Sequence, residues 1–265
     1  MASQEGAMFY LGGRIMKKIE FLGSLGNKLS ARLDEPNENP KAFALFAHCF
    51  TCTKDILAAS HIAQTLTKHG IAVLRFEFTG LGGSGGDFEN TNFSSNIQDL
   101  IKAADYLRDN FEAPKILIGH SLGGTATLAS AQSILESRAV VTIGSPADAA
   151  HIAHHFTDVR EQIINEGEAE VLLEGRPFKI KKQFVEDIEN YSIENRMRGM
   201  NKALLIMHAP TDKTVGIENA TKIFSWAKHP KSFISLDQAN HLLTEKRDSS
   251  YAANIIAAWS SSYID

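Results

Sequence analysis

Residues 116–124 read Ile116-Leu117-Ile118-Gly119-His120-Ser121-Leu122-Gly123-Gly124, and this stretch decides the fold. The apolar run Ile116-Leu117-Ile118 predicts a buried strand, and the residues from 122 to 135 predict a helix. Between them Gly119-His120-Ser121-Leu122-Gly123 fits G-x-S-x-G. Composition alone gives roughly 0.1 such matches in a chain of this length, so the pentapeptide needs its context. The strand–turn–helix setting supplies that context. Gly119 and Gly123 lack a Cβ that would clash in so tight a turn, which lets Ser121 project its hydroxyl at the C-terminal edge of a sheet. Gly124 and Ala126 keep the helix close to that sheet. The bland alternative is a serine capping a helix after a glycine turn.

Outward from this strand, apolar runs and helical patterns alternate from residue 41 to the end. Strands are predicted over 43–47, 71–78, 115–118, 140–143, 203–207 and 232–236. Helices are predicted over 55–68, from about 95 onward, and over 217–227 and 249–259. Ser95 and Gln98 are expected to form a capping box. This alternation implies an α/β fold, a mostly parallel twisted sheet with helices on both faces. Residues 17–21 and 28–33 predict an antiparallel hairpin ahead of it. Residues 146–200 break the rhythm; a hairpin over 171–178 and a helix near 182–188 fill the gap. The segment is expected to be a cap over the site, the alternative being a decorative insertion. The chain divides into residues 1–15, expected to be a leader or an expression remnant, and a single domain over 16–265.

Of the 265 residues, 43% are hydrophobic and 22% charged, and such a chain buries roughly 70–75% of its unfolded surface without metal or disulfide staples. Twenty-seven basic against 31 acidic residues leave a net charge of −4, which gives no reason to expect nucleic acid or an anionic membrane as partner. No run of about 18 apolar residues exists to span a bilayer. Two cysteines and no signal-peptide pattern point to a cytoplasmic protein.

A serine nucleophile needs a base, and the base an orienting acid. Parallel strands end at one edge, so residues just after different strands converge there. Asp212 follows the strand at 203–207, and His241 follows the strand at 232–236. Ser121, Asp212 and His241 thus meet in the order Ser, acid, His. Asp237 lies on the same edge and is the alternative acid. His120 and His208 read as structural or pocket-lining. The Leu122 amide is one oxyanion donor, and the loop His48-Cys49-Phe50-Thr51-Cys52 should supply the second through Phe50.

HCFTCTKD, RFEFTGLGGSGGDFENTNFSSN, GHSLGG and KSFISLDQANHLL resemble the α/β-hydrolase superfamily, and the likeness runs from about residue 17 to the end. Within it they resemble hydrolases often fused to an OsmC-like redox domain; with the sequence ending at Asp265, that domain is expected to be absent. The resemblance implies an α/β-hydrolase fold with a small cap, Ser121 as nucleophile, Asp212 and His241 as relay, and the Phe50 and Leu122 amides as oxyanion hole. Cys49 stands where many relatives carry glycine, and its side chain narrows the backbone angles open to that loop.

Other constellations compete. Cys49 and Cys52 form C-x-x-C between a strand and a helix, the spacing of a redox dithiol, without a thioredoxin-like pattern around it. Gly80-Leu81-Gly82-Gly83-Ser84-Gly85 matches G-x-G-x-x-G, but no helix opens there, so a flexible turn at the rim is expected in place of a dinucleotide site. His151, His154 and His155 lack carboxylate or cysteine partners for a metal. His48, His120, Phe156 and Phe178 are expected to line the substrate site. The expected activity is that of a serine carboxylesterase on small acyl esters, with no cofactor or metal. The alternatives are a non-catalytic binding module and a dithiol redox partner.

Overall fold

Apolar runs become strands wherever both faces of the sheet are covered. A computed structural model describes residues 8–10, 15–48, 54, 56–173 and 175–264. The first half runs β1 (Met8–Tyr10), β2 (Ile15–Leu22), β3 (Lys28–Glu35), β4 (Ala42–Ala47), α1 (Leu57–Lys68), β5 (Ile71–Phe76), α2 (Phe93–Asn110), β6 (Ile116–His120), α3 (Leu122–Ser130) and β7 (Ala139–Ile143). An excursion follows with α4 (Arg160–Glu166), β8 (Glu168–Leu173), β9 (Arg176–Lys181), α5 (Lys182–Asn190) and α6 (Ile193–Arg198). The chain then returns through β10 (Ala203–His208), α7 (Glu218–Trp226), β11 (Lys231–Ser235) and α8 (Lys246–Ile264).

Nine strands form one sheet in the order β1-β2-β3-β5-β4-β6-β7-β10-β11. The pairs β1/β2, β2/β3 and β3/β5 are antiparallel, and every pair from β5 through β11 is parallel. Every residue of β4, β5, β6, β7 and β10 is buried, which explains their predominantly apolar sequences. In β4, Phe43, Leu45 and Ala47 face the layer holding α2, α3 and α7, whereas Ala42, Ala44 and Phe46 face α1 and α8. The expected α/β architecture is the observed one. No helix among the described residues is long and apolar enough to cross a membrane.

Several boundaries differ for local reasons. Helix α2 begins at Phe93, and its capping box joins Asn92 to Ser95, not Ser95 to Gln98. The Asn92 side chain accepts the Ser95 amide at 2.8 Å, while Ser95 Oγ accepts the Asn92 amide at 2.9 Å. Starting the helix one turn early buries the Phe93 ring completely, edge-on to Tyr191. Helix α3 stops at Ser130, whose hydroxyl bonds the Thr127 carbonyl, and a short 3₁₀ turn follows. Met8–Tyr10, inside the stretch expected to precede the domain, pairs with β2 as an antiparallel edge strand.

The excursion between β7 and β10 opens with a 3₁₀ segment, Ala149–Val159, and carries the separate β8–β9 hairpin. It is fastened to the segment that leads into α2. Lys181 Nζ bonds Asn90 Oδ1 at 2.7 Å and Glu89 at 3.0 Å. Asp187 accepts both the amide and the hydroxyl of Ser94 at 2.7 Å. Phe178 lies edge-on to Phe88 with centroids 5.0 Å apart.

Candidate active site

The turn between β6 and α3 forces its serine into a strained backbone. Ser121 has φ 54° and ψ −129°, a region that costs a non-glycine residue about 1–3 kcal/mol. Its amide bonds the Ile143 carbonyl of the adjacent strand at 2.9 Å. The flanking glycines are sterically required: a Cβ on Gly119 would meet Gly124 Cα at 2.4 Å, and one on Gly123 would meet the His48 carbonyl oxygen at 2.2 Å. Leu122 provides the first amide of α3, one of the four that a helix leaves without an acceptor of its own.

Three residues predicted from separate strand ends meet here. Ser121 Oγ lies 3.1 Å from His241 Nε2, and His241 Nδ1 lies 2.7 Å from Asp212 Oδ2. The other carboxylate oxygen, Asp212 Oδ1, accepts the amides of Thr214 at 2.9 Å and Val215 at 3.0 Å. Burial alone would raise the Asp212 carboxyl; the hydrogen bonds from His241 and from the Val215 and Thr214 amides outweigh it and hold the group below its ordinary value. Asp237, the alternative acid, is exposed and bonds the Ser235 hydroxyl.

His120 is buried and contacts His241, with Nε2 2.7 Å from the His241 carbonyl oxygen. His208 is buried and bonds the Val215 carbonyl at 2.8 Å. His48 is buried edge-on to Phe78, and with Phe78, Phe93, Asn96 and Leu122 it lines a narrow slot beside the start of α3. Phe156 is 1% exposed and packs in the core beneath the cap, its ring 6.4 Å from Phe184. Phe178 is half-buried on the cap hairpin. Phe50, Cys49 and Cys52 lie outside the described residues. The His151 and His154 rings meet edge-on at 4.9 Å, the His154 and His155 rings tilted at 4.0 Å, and His151 Nε2 bonds the Thr214 carbonyl at 3.1 Å. Among the described residues no group of three His, Cys, Asp or Glu side chains is placed to hold a metal ion.

Some residues at the site escaped the sequence reading. Gly144 follows β7 with φ +55°, and a Cβ there would lie 3.3 Å from His241 Nδ1 and 3.4 Å from Asp212 Oδ2, crowding the bond between them. Its signal was a glycine closing an apolar strand on the functional edge, as Gly119 does in β6. Arg75 and Glu77 interrupt a buried apolar run, and buried charges demand partners. Arg75 pairs with Asp34 at 2.7 Å and donates to the Lys54 carbonyl, while Glu77 receives the Lys54 ammonium at 2.9 Å. Glu77 also receives the Gly83 amide at 2.7 Å, and its own carbonyl accepts the Ser84 hydroxyl. The glycine-rich stretch 80–85 is therefore a turn bonded around Glu77, not the flexible rim expected of it, and the next full helix waits until Phe93.

Comparison with known proteins agrees with this geometry. The hydrolase family described as serine aminopeptidase, S33, matches residues 38–165. An esterase domain from a Rhodothermus marinus protein is 47% identical, with a TM-score of 0.77 over 94% of this chain and 99% of that one. Est1E from Butyrivibrio proteoclasticus, solved with ferulic acid bound, shares the fold at 22% identity, with a TM-score of 0.80 over 93% of this chain and 99% of its own. Mouse palmitoyl-protein thioesterase ABHD10, mitochondrial, is 26% identical over 186 residues, or 68% of this chain. The match spans 62% of that thioesterase's length. With a sheet, an elbow and an esterase relative of this kind, the chain belongs to the α/β-hydrolase superfamily, within its hydrolase and esterase families.

Proposed function

We propose that this α/β hydrolase is a serine carboxylesterase that cleaves small acyl esters through an acyl-enzyme. The observation that carries the reading is the continuous hydrogen-bonded chain from Ser121 Oγ through both nitrogens of His241 to Asp212. Ser121 Oγ attacks the ester carbonyl as its proton passes to His241 Nε2. The imidazolium so formed is stabilised by the Asp212 carboxylate 2.7 Å away. The Leu122 amide, with the Phe50 amide expected opposite it, receives the developing oxyanion. His241 then protonates the departing alkoxide, and water repeats the sequence on the acyl-enzyme.

A second reading, thioester hydrolysis, is favoured by the similarity to the mouse thioesterase. It uses the same steps with a thiolate leaving group. The deciding experiment is labelling by a fluorophosphonate, followed by turnover of ester and thioester series of graded acyl length. Labelling at Ser121, lost in Ser121→Ala together with turnover, is expected. Near-wild-type turnover in Ser121→Ala refutes the mechanism, and preference for thioesters at matched acyl length selects the second reading.

A further inference from the structure

Two buried imidazoles outside the Ser121–His241–Asp212 chain each hold the backbone around one of its members. His120 Nε2 sits 2.7 Å from the carbonyl oxygen of His241. A carbonyl only accepts, so Nε2 carries the proton and donates it. Among the described residues His120 Nδ1 is buried with no hydrogen-bond partner, which accords with a neutral Nε2–H tautomer. His208 repeats the arrangement at the end of β10. Its Nε2 donates to the Val215 carbonyl at 2.8 Å, its Nδ1 has no partner among the described residues, and the Val215 amide bonds Asp212 Oδ1 at 3.0 Å.

We propose that His120 and His208 are positioning residues for the proton relay, the first fixing the main chain of His241 and the second fixing the loop that grips Asp212. This inference rests on the serine-hydrolase reading. His241 lies on a loop after the edge strand β11, between exposed Asn240 and Leu242. The bonds from the Ala239 amide to Leu236, and from the Leu243 and Thr244 amides to Asn240, close within that loop. The His120 bond ties it to the central sheet instead. An unpaired buried ring nitrogen carries a cost that an apolar side chain of similar size avoids, so packing alone does not account for a histidine at either position. Neutrality matters as well. Burial, and next the neighbouring His241, push His120 down to about 4, so it presents a dipole and not a second cation when His241 takes up its proton.

The test uses His120→Leu and His120→Gln, with the same pair at His208, each assayed per fluorophosphonate-titrated site with thermal melts alongside. Each Leu variant should lose about 10- to 100-fold in kcat, because small misplacements of a reacting group act at that scale. Its KM should stay within about threefold, the mark of an interaction that acts in the transition state. Gln can present an N–H at similar reach and should recover kcat to within about fivefold of wild type. A Leu variant with full kcat, or a Gln variant as impaired as Leu, overturns the assignment for that residue. If a Leu variant does not fold, Asn takes its place, because its amide is one methylene too short; equal turnover of Asn and Gln variants then overturns the assignment. Ser121→Ala run in parallel separates the two levels. Turnover in that variant sinks the serine mechanism, whereas an inactive Ser121→Ala beside a fully active His120→Leu refutes only the role given to His120.

Discussion

Replacing Asp212 by asparagine removes one charge and almost no volume, and the surroundings dictate how the new amide must sit. In the native site Oδ1 accepts two main-chain amides, from Thr214 and Val215, while Oδ2 faces His241 Nδ1 at 2.7 Å. The asparagine oxygen must take the Oδ1 position, since an NH₂ group there would oppose two N–H donors. Its nitrogen therefore faces His241 Nδ1 and donates to it. Nδ1 becomes an acceptor, and the ring proton moves to Nε2, the atom 3.1 Å from Ser121 Oγ. A protonated Nε2 cannot receive the serine proton. Wrong-tautomer substitution in another serine-hydrolase triad lowers kcat about 10⁴-fold. At 1.36 kcal/mol per decade, that is about 5 kcal/mol of transition-state stabilisation. Asp237→Asn, at an exposed residue bonded to the Ser235 hydroxyl, should stay within about threefold of wild type. The assay is steady-state turnover of a chromogenic short-chain ester, with circular dichroism to confirm folding. Folded Asp212→Asn within about tenfold of wild type, or the reverse ranking of the two variants, refutes the argument.

Asp212 ionises below its ordinary value, so its contribution to stability is complete above the unfolded carboxyl value of about 3.9 and is lost as pH falls through the lower folded value. Wild-type melting temperature should thus drop more steeply than that of Asp212→Asn as pH falls below about 4, and equal slopes count against it. Cys49→Ser combined with Cys52→Ser should keep substantial esterase activity, whereas complete loss with the fold intact would favour dithiol chemistry. Phe178→Ala, on the half-buried face of the cap hairpin, should change selectivity across an acyl series. Phe156→Ala should act on stability by about 3–5 kcal/mol, because that ring is in the core; a melting temperature unchanged by this substitution, or selectivity unchanged by the other, contradicts the placement.

The central sheet was legible because parallel strands buried on both faces leave unbroken apolar runs, as in Phe43 to Ala47 and Ala203 to Met207. The elbow was legible because its glycines have no substitute in so tight a turn. Convergence of Ser121, Asp212 and His241 followed from strand direction alone. Asp212 was preferred over Asp237 because it approaches from the neighbouring strand, although both follow strands on the same edge; the 212–215 turn places its carboxylate on the imidazole. The role of His120 was hidden, because its partner is a main-chain oxygen 121 residues away. The 3₁₀ segment Ala149–Val159 was not read as an element, and Phe156, expected to line the site, is buried in the core. The partners of Arg75 and Glu77, Asp34 and Lys54, stand 41 and 23 residues away and leave no local signal.

The path between β7 and β10 has a consequence for how such a protein can diversify. Because those strands are parallel neighbours, the chain must travel from the C-terminal edge of the sheet back to the N-terminal edge whatever else it does. Helix α6, packed between α3 and α7, makes that return journey. Everything from Asp148 to Asn190 is then surplus to topology, a module hung on a connection that would exist without it. Its length and composition do not enter the strand order, and its one bond to the turn that carries Asp212 described above is that of His151 to the Thr214 carbonyl. The turns that carry Ser121 and His241 thus hang on connections other than the one that holds this module.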